Sequence, residues 1–527
     1  MTAEPTEQQV PPVLRRRGRA LLLAAVAACA ACGLTYELVL LTLSTGLTGG
    51  GITQTSLIVA GYVAALGAGA LLVKPLLAHA ATVFVAVEIL LGLLGGLSAV
   101  ALYVTFSYYG TDTAVLIIAT AVLGALVGAE VPLLMTLLQS GRSGTDATGT
   151  GRVLANLNAA DYAGALLGGL AWPFLLLPLA GQIRGAALIG VVNLVAAAVL
   201  AAFLLRRAMS RRARWGATVA LLVAASLLGG LIATAADVEV NARQRLYADP
   251  VVVAERTAYQ EVVLTERDGD TRLYLDGDLQ FSSEDEHRYH EALVHPALSQ
   301  DPGRVLVVGG GDGLAAREVL RHPSVREVVQ VELDPAVLEL GRTRLAGLNG
   351  DALNDPRMQV VVDDAFRWLR ERAVGAAPEP AGFDAVIVDL PDPDTPALGR
   401  LYSTEFYGLV RAATNPGGLV VVQAGSPYST PAAYWRTVST IRSAGWAVTP
   451  YHVHVPSFGD WGFALARVGP SPPVPGLSAQ APAMRYLDEA VLRAAAVFPR
   501  DRRPQELPPS TLDRPRIVED LRQGWSS

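Results

Sequence analysis

Cysteine and charge are both scarce in this sequence, and each scarcity excludes a class of protein. Only Cys29 and Cys32 occur among the 527 residues, so a fold built on disulfides is excluded. Both lie in an apolar run without other metal ligands, which favours buried thiols over a redox or metal site. Charged residues make up 17% of the chain, and the formal net charge is −6. Without a surplus of basic residues, nucleic-acid binding is not predicted.

Apolar residues, in contrast, are abundant, and the longest apolar runs lie before residue 237. Apolar residues make up 51% of the chain. Segments long enough to cross a bilayer are 20–43, 52–73, 81–105, 113–138, 160–180, 185–205 and 216–236. We therefore predict an α-helical multi-pass membrane domain over 20–236, with about seven transmembrane helices and a basic cytoplasmic tail, 1–19, before it. Charged residues recur after 237, which indicates a fused soluble domain.

The basic residues indicate orientation, because they are enriched in cytoplasmic loops. The cluster Arg15–Arg19 places the amino terminus in the cytoplasm. The same side receives Lys74, Arg142, Arg152, Arg206, Arg207, Arg211, Arg212 and Arg214. Seven complete spans would then put the soluble domain outside the cell. A re-entrant or interfacial segment would return it to the cytoplasm. The weakest span is 160–180, although its removal alone would move the arginines of 206–214 outside.

Four acidic residues lie in or near the apolar runs: Glu37, Glu88, Glu130 and Asp161. Carboxylates inside a membrane are costly and tend to mark function. Two interpretations stay open. The acids either form hydrogen bonds between helices in a protonated state, or they belong to a route or sensor for cations.

The second half of the chain predicts an α/β domain. Alternating residues over 241–295 indicate a β-hairpin region, followed by a helix from about Glu284 with Ser282 or Ser283 as its cap. Residues 296–470 then alternate between helices and short apolar strands, at 304–308, 327–332, 358–362, 383–388 and 418–423. This order predicts a doubly wound parallel sheet, Rossmann-like and of the methyltransferase type. The Pro-rich and charged residues 471–527 are interpreted as a peripheral appendage.

A glycine-rich turn with one carboxylate follows the first of these strands. It reads Gly-Gly-Gly-Asp-Gly over 309–313, without the G-x-G-x-x-G spacing of dinucleotide-binding proteins. Glu332 ends the next strand, where an acid binds ribose hydroxyls, and Asp364 after the third strand suits an adenine amino group. These positions predict a ligand of the S-adenosylmethionine type. Asp312 would attract an ammonium and repel a carboxylate, so the decarboxylated form is favoured.

A second acidic motif follows the fourth strand, with Asp389, Asp392 and Asp394 in one loop. Such a cluster can bind a metal, a glycosidic substrate or a polyvalent cation. No His or Cys accompanies it, although an oxygen-only metal site stays open. A glycosidase has no need of adenosine, whereas a polyamine needs carboxylates along a groove. Asp389 lies at the strand end and is the best candidate to accept a proton from an attacking amine.

Taken together, these motifs resemble those of the spermidine synthases, the polyamine aminopropyltransferases. The resemblance covers roughly 255–465 and includes Ala258–Gln260, Leu275–Gln280, Asp285–Glu291 and the acids above. The fused apolar half resembles multi-pass bacterial forms of these enzymes. The resemblance implies that the thioadenosine part contacts Gln260, Glu332, Asp364, Ala365 and Pro396. It implies a polyamine side made of His290, Asp312, Asp389 and Asp392, with Gln280, Tyr289 and Gln423 nearby. Asp389 matches the proton acceptor.

Two departures concern the acceptor amine. Leu390-Pro391 stands where family members usually carry Ser or Thr, and Val455–Gly462 lacks the tyrosine of their Tyr-Pro-Ser-Gly stretch. The predicted reaction converts decarboxylated S-adenosylmethionine and a diamine, with putrescine favoured, into spermidine and methylthioadenosine. It needs no cofactor or metal. The alternatives are a membrane polyamine transporter or sensor, and a methyltransferase that uses S-adenosylmethionine. The family also implies a homo-oligomer, a dimer or tetramer, and we expect the catalytic domain to be cytoplasmic.

Overall fold

The chain forms two compact units, Met1–Ala248 and Asp249–Ser527. The computed structural model describes residues 16–48, 52–111, 113–139, 147–375 and 382–526. Most of the predicted basic tail and Arg142 lie outside these ranges. The sequence placed the change of composition near 237, before the observed boundary, because the last apolar helix continues through polar residues to Leu246.

The first unit consists of long helices. They are α1 (Arg16–Thr48), α2 (Ile52–Leu72), α3 (Ala80–Tyr109), α4 (Thr113–Gln139), α5 (Ala147–Ala171), α6 (Leu177–Val199) and α7 (Arg211–Leu246). The most extensive pairings join α2 with α4, α1 with α5, and α3 with α6. Glycines permit these helices to approach closely. A Cβ atom at Gly164, for example, would lie 1.9 Å from the carbonyl oxygen of Ala27 on α1.

Six helical stretches in the described residues are long and apolar enough to cross a membrane, by length and composition. The predicted count was about seven. The difference arises at Leu154–Leu204, one stretch that contains 160–180 and all but the last residue of 185–205. Inside it, Gly181 alone leaves the helical conformation, with φ 72° and ψ −175°, and glycine adopts such a positive φ without steric cost. The helix α7 also extends into 241–246, where the sequence predicted the start of the hairpin region.

The four acids of this unit differ in burial. Glu88 and Glu130 are buried, with 0% and 5% of their surface exposed, whereas Glu37 and Asp161 are half-buried. Glu88 and Glu130 are close enough to interact electrostatically. Glu88 lies near the Cys29 thiol and the Asn193 side chain. Even so, neither carboxylate oxygen of Glu88 meets hydrogen-bond geometry with any described group.

The second unit begins with a small antiparallel sheet. Its strands, in spatial order, are β1 (Val251–Arg256), β2 (Glu261–Arg267), β3 (Asp270–Leu275) and β4 (Asp278–Ser282). The predicted hairpin is therefore present, and its turn places Asp268 and Gly269 at positive φ. The helix α8 (Glu286–Val294) follows. Its cap position is Asp285, not Ser282 or Ser283, because both serine hydroxyls donate to the Asp270 carboxylate instead.

A seven-stranded sheet forms the centre of this unit, in the order β10-β11-β9-β8-β5-β6-β7. The strands are β5 (Arg304–Gly309), β6 (Glu327–Glu332), β7 (Met358–Val362), β8 (Phe383–Asp389), β9 (Thr414–Gly425), β10 (Ala447–Val455) and β11 (Gly459–Arg467). The strands β5 to β9 are parallel to one another. The strand β11 is antiparallel to both of its neighbours, β9 and β10. Leu306 and Val308 enter one core, and Val305 and Val307 the other. A strand buried on both faces explains the continuous apolar run.

Helices cover both faces of this sheet. They are α9 (Leu314–Leu320), α10 (Pro335–Arg342), α11 (Ala346–Asn349), α12 (Ala365–Ala373), α13 (Pro396–Gly399), α14 (Thr404–Ala413), α15 (Pro431–Ser443), α16 (Glu489–Ala495) and α17 (Arg516–Ser526). The expectation of a peripheral appendage over 471–527 is wrong. Leu492 of α16 belongs to one core of the sheet, and Ile517 of α17 is buried against Tyr402.

Candidate active site at the carboxyl edge of the sheet

The order of the parallel strands reverses between β5 and β8, and this is where an open α/β sheet forms its ligand crevice. Gly309 at the end of β5 pairs in register with Asp389 at the end of β8. A Cβ atom at Gly309 would lie 2.0 Å from the Asp389 carbonyl oxygen, and its φ is 82°. Only glycine fits there, so the motif brings the two predicted functional loops together.

Asp312 lies at the turn from β5 into α9. Its Oδ1 accepts a hydrogen bond from the Leu314 backbone nitrogen at 2.8 Å. Burial raises the pKa of Asp312, and the neighbouring charge of His290 partly opposes this shift. Asp312 therefore has a fixed position at the turn, where the sequence predicted a negative charge for an incoming ammonium.

Glu332 ends β6 and lies across the glycine turn. A Cβ atom at Gly311 would be 2.9 Å from the Glu332 Oε2 atom, so a larger residue at 311 would displace this side chain. The Oε1 atom of Glu332 accepts a hydrogen bond from the Asp334 backbone nitrogen at 2.9 Å. Burial raises the pKa of Glu332 to about 7. The carboxyl group is therefore held at the turn, where a ribose would lie.

His290 of α8 is bound to an acid one turn earlier. Its Nδ1 atom lies 2.9 Å from the Glu286 Oε2 atom, and Glu286 is bridged by Arg317 at 2.9 Å. Burial alone would lower the pKa of His290, but the bond to Glu286 and the charges of Glu286, Asp312 and Asp389 raise it to about 9. His290 is therefore a cation that faces the two acids of the crevice.

Asp389 accepts a hydrogen bond from the Tyr289 hydroxyl at 2.6 Å. Burial raises the pKa of Asp389 to about 6, against the lowering effects of His290 and of the Tyr289 bond, and Asp312 adds to the rise. A carboxylate with such a pKa is ionised at neutral pH and still basic enough to accept a proton. This property suits the proton acceptor that the sequence predicted at the strand end.

Asp392 lies on the loop after β8 and contacts Gln423 near the end of β9. The Gln423 Nε2 atom donates to Asp392 Oδ1 at 3.2 Å, to the Leu390 carbonyl at 2.6 Å and to the Tyr402 hydroxyl at 2.8 Å. Burial raises the pKa of Asp392 to about 6, and Asp278 and Asp394 contribute in the same direction. Gln423 therefore fixes the loop that carries Asp392.

The residues predicted for the adenosine side are held by other contacts. Gln260 donates to Asp334 Oδ2 at 3.1 Å. Asp364 caps α12, where its Oδ1 accepts from the Arg367 nitrogen at 2.9 Å, and it forms an ion pair with Arg400. Ala365 and Pro396 are the first residues of α12 and α13. Asp364 is thus engaged within the chain, and its assignment to the adenine amino group stays a prediction.

The structure places Tyr289, His290, Asp312 and Asp389 in one cluster, and it joins Asp392 to Gln423. Gln280 is not connected to either group by its amide, which donates to the Asp278 carbonyl at 3.1 Å. In the described ranges, no group of three or more His, Cys, Asp or Glu side chains is arranged for a metal ion.

Sequence reasoning missed the residues that support this cluster: Glu286, Arg317, Gln330, Asp334 and Tyr402. Gln330 is a buried amide inside β6, and its Nε2 atom donates to the carbonyls of Gly309 and Gly310 at 2.9 and 2.6 Å. A polar residue in the middle of an apolar strand was a usable signal for it. The ion pair between Glu286 and Arg317 joins two helices, and nothing local in the sequence indicates it.

Comparison with known proteins shows the family to which the chain belongs. The spermine/spermidine synthase domain matches residues 286–473. A polyamine aminopropyltransferase of Mycobacterium tuberculosis is 64% identical over 512 residues, which are 97% of this chain and 97% of the relative. The chain belongs to the spermine/spermidine synthase family. The family and the enzyme class predicted from the sequence, a polyamine aminopropyltransferase, are therefore confirmed.

Two further comparisons cover other parts of the family. A polyamine aminopropyltransferase of Corynebacterium efficiens is 55% identical over 516 residues, 98% of either chain. Among solved structures, spermidine synthase in complex with the transition state analogue AdoDATO matches with a TM-score of 0.43 and 26% identity. That match covers 47% of this chain and 85% of the other. The matches to the relatives from Mycobacterium tuberculosis and Corynebacterium efficiens extend over nearly the whole chain. The similarity therefore includes the helical unit as well as the second unit.

Proposed function

We propose that the protein transfers the aminopropyl group of decarboxylated S-adenosylmethionine to a diamine, putrescine, and releases spermidine and methylthioadenosine. The observation that carries this proposal is Asp389, a strand-end carboxylate with a raised pKa in contact with Tyr289 and beside Asp312. The proposal also depends on the crevice at the sheet edge. A donor bound along the glycine turn would lie there next to the acidic loop.

The donor is positioned by two acids with different tasks. Glu332 binds the ribose hydroxyls, and Asp312 pairs with the ammonium at the end of the aminopropyl chain. A carboxylate on the donor tail would face the negative charge of Asp312. Like charges at close range repel, so the decarboxylated donor is preferred over S-adenosylmethionine itself.

The transfer is a single displacement. The neutral nitrogen of the acceptor attacks the propyl carbon next to sulfur, the carbon–sulfur bond breaks, and its electron pair leaves on sulfur as a neutral thioether. The nitrogen is neutral because Asp389 has accepted a proton from its ammonium form, and it becomes positively charged again on attack. Holding the nitrogen in line with the carbon supplies much of the rate. The second ammonium of the diamine pairs with Asp392, which Gln423 holds in place.

Product formation by the full-length protein in detergent tests this function. Decarboxylated S-adenosylmethionine and putrescine should give spermidine and methylthioadenosine in equal amounts. Asp389→Asn should lower kcat by about 100-fold or more, the usual contribution of a positioned base. The matched control is Asp351→Asn, an exposed loop residue at positive φ, a conformation that asparagine tolerates. Transfer of a methyl group from S-adenosylmethionine, with no aminopropyl transfer, would contradict the proposal.

We further propose that the helical unit anchors the enzyme in the cell membrane, with the catalytic unit in the cytoplasm, where the donor is made. The six long apolar stretches support a membrane location. We also expect a homo-oligomer, a dimer or a tetramer. Protease treatment of intact cells should leave the catalytic unit uncut, whereas cleavage would place it outside. The mass of the detergent-solubilised protein measures the oligomeric state.

A second candidate function is polyamine transport or sensing by the helical unit. It is favoured by Glu88 and Glu130, two buried acids that interact with each other. Two carboxylates in an apolar bundle need a proton or another cation for charge balance. Uptake of labelled polyamine into vesicles that persists in Asp389→Asn and disappears in Glu88→Gln would support this function. If neither the wild-type protein nor Asp389→Asn takes up the polyamine, transport by the helical unit is excluded.

A further inference from the structure

The C-terminal helix α17 (Arg516–Ser526) packs beside the acidic loop of the site. Ile517, Val518 and Leu521 form a buried cluster with Tyr402 and Ala433, and Leu390 packs against this cluster. Leu390 directly follows Asp389 in the chain. The helix lies beyond residue 473, where the match to the synthase domain ends, so the domain itself does not account for this contact.

Three further contacts fix α17 against the catalytic unit. Asp520 forms a bidentate ion pair with Arg436 of α15, whose surface is 8% exposed. A Cβ atom at Gly399 of α13 would lie 2.6 Å from the Val518 Cγ2 atom. A Cβ atom at Gly524 would lie 2.8 Å from the Thr430 side chain. The helix is therefore seated in a defined register, which also determines where its polar face points.

Arg522 is the residue of α17 that reaches the acidic loop. Its Nε atom donates to the backbone carbonyl of Asp394 at 3.1 Å. Burial and the charge of Asp276 raise the pKa of the Asp394 carboxyl group, whereas the guanidinium of Arg522 lowers it. A cation from outside the synthase domain thus enters the acidic surface of the site.

Four carboxylates form the outer part of this surface, and we call them the outer acids: Asp276, Asp278, Asp392 and Asp394. Asp392 interacts electrostatically with Asp278 and Asp394, and Asp278 interacts with Asp394 and Asp276. Asp276 and Asp278 lie at the turn between β3 and β4 and are exposed, whereas Asp392 and Asp394 are half-buried. The outer acids therefore run from the catalytic loop towards solvent, along the direction in which a long polyamine would extend.

We propose that Arg522 is a specificity-determining residue for the acceptor. It neutralises one charge at the outer end of this surface, so that the site prefers a diamine over a longer amine with an additional ammonium group. The inference rests on the proposed function, because it assumes an amine acceptor. The second ammonium of a diamine reaches Asp392, on the inner side of Arg522. A third ammonium would extend towards Asp394 and Asp278, where it competes with the guanidinium.

The test compares putrescine with spermidine as acceptors, in the full-length protein with the decarboxylated donor. Arg522→Gln should raise the kcat/KM ratio of spermidine to putrescine by about two- to fivefold, the size expected for one partly screened charge pair. The change should lie in KM for spermidine. Arg522→Lys keeps the charge and should keep the wild-type ratio. The matched control is Arg514→Gln, which removes an arginine of the same segment with 69% of its side chain exposed, and should also keep that ratio.

Two outcomes would overturn the inference. One is an unchanged ratio in Arg522→Gln. The other is an equal loss of kcat/KM for both amines, in Arg522→Gln and in Arg522→Lys alike. That result would mean that Arg522 only supports the loop. Failure of the proposed function gives a different result, since the wild-type protein would then form no product from either amine. In that case, calorimetric binding of spermidine to wild type and Arg522→Gln still measures the charge effect.

Discussion

Replacement of Asp312 by asparagine separates the electrostatic role of this residue from its structural one. The Oδ1 atom of Asp312 accepts the Leu314 backbone hydrogen bond at 2.8 Å. Asparagine has an oxygen that can accept the same bond, so the start of α9 is preserved. The change removes only the negative charge that would face the ammonium of the donor tail.

The expected loss follows from the half-buried position of Asp312. A hydrogen bond to a charged group contributes roughly 1.5–3 kcal/mol, so we expect about 2 kcal/mol, or about 30-fold in Kd, for the decarboxylated donor. Methylthioadenosine has no ammonium group, and its Kd should change by less than about threefold, which is roughly 0.6 kcal/mol. The ratio of the two losses isolates the charge.

Isothermal titration of the purified protein with each ligand measures both constants. Glu332→Gln is the companion variant, because Glu332 is assigned to the ribose that both ligands contain, and it should weaken both by similar factors. Equal losses of donor and methylthioadenosine in Asp312→Asn would refute the assignment of Asp312. A large fall in the thermal unfolding midpoint would show instead that the Leu314 contact had not been preserved.

Two further predictions concern pH. Since the Asp389 pKa is about 6, kcat/KM should fall as pH decreases below about 6. Tyr289→Phe should move the midpoint of this fall to higher pH, because the Tyr289 bond lowers the pKa of Asp389. An unmoved midpoint would assign the fall in kcat/KM to another group. The bond between Glu286 and His290 holds their pKa values at about 2 and about 9, against ordinary values of 4.5 and 6.5. It therefore stabilises the fold fully between about pH 4.5 and 6.5 and is lost as pH falls towards 2 or rises through 9. Glu286→Gln should lower the free energy of unfolding by about 3 kcal/mol within that pH range and by less on either side of it. Thermal unfolding at a series of pH values measures this difference. A loss of stability that does not depend on pH would contradict the assignment.

The parts of the site that the sequence predicted follow from the general topology of a parallel sheet. Gly309 must be glycine because β5 and β8 are adjacent, and the acid at the end of each strand lies at the sheet edge by the rule of parallel strands. Glu332 and Asp389 therefore followed from strand ends alone.

The parts that the sequence did not predict depend on contacts between distant segments. Arg317 reaches Glu286 across two helices, and Arg522 reaches Asp394 from the far end of the chain. The strands β10 and β11 were also missed, because their mixed polar and apolar residues become a strand pair only against β9. The Pro-rich start of 471–527 indicated a peripheral segment, whereas its later apolar residues are buried on the domain.

The charge balance of the crevice explains how a protonated amine can become a nucleophile at neutral pH. The raised pKa of Asp389 makes it a better proton acceptor than an exposed carboxylate. The sulfonium of a bound donor adds a positive charge close to the incoming nitrogen, which favours the neutral amine. The imidazolium of His290 acts in the same direction, because Glu286 and Arg317 keep it charged and in place. Both charges lower the proton affinity of the amine. His290 also lowers the pKa of Asp389, but burial outweighs this effect and keeps that pKa raised, so the carboxylate can still accept the proton. In the proposed reaction, a bound donor therefore adds to the activation of the acceptor that Asp389 and His290 already provide.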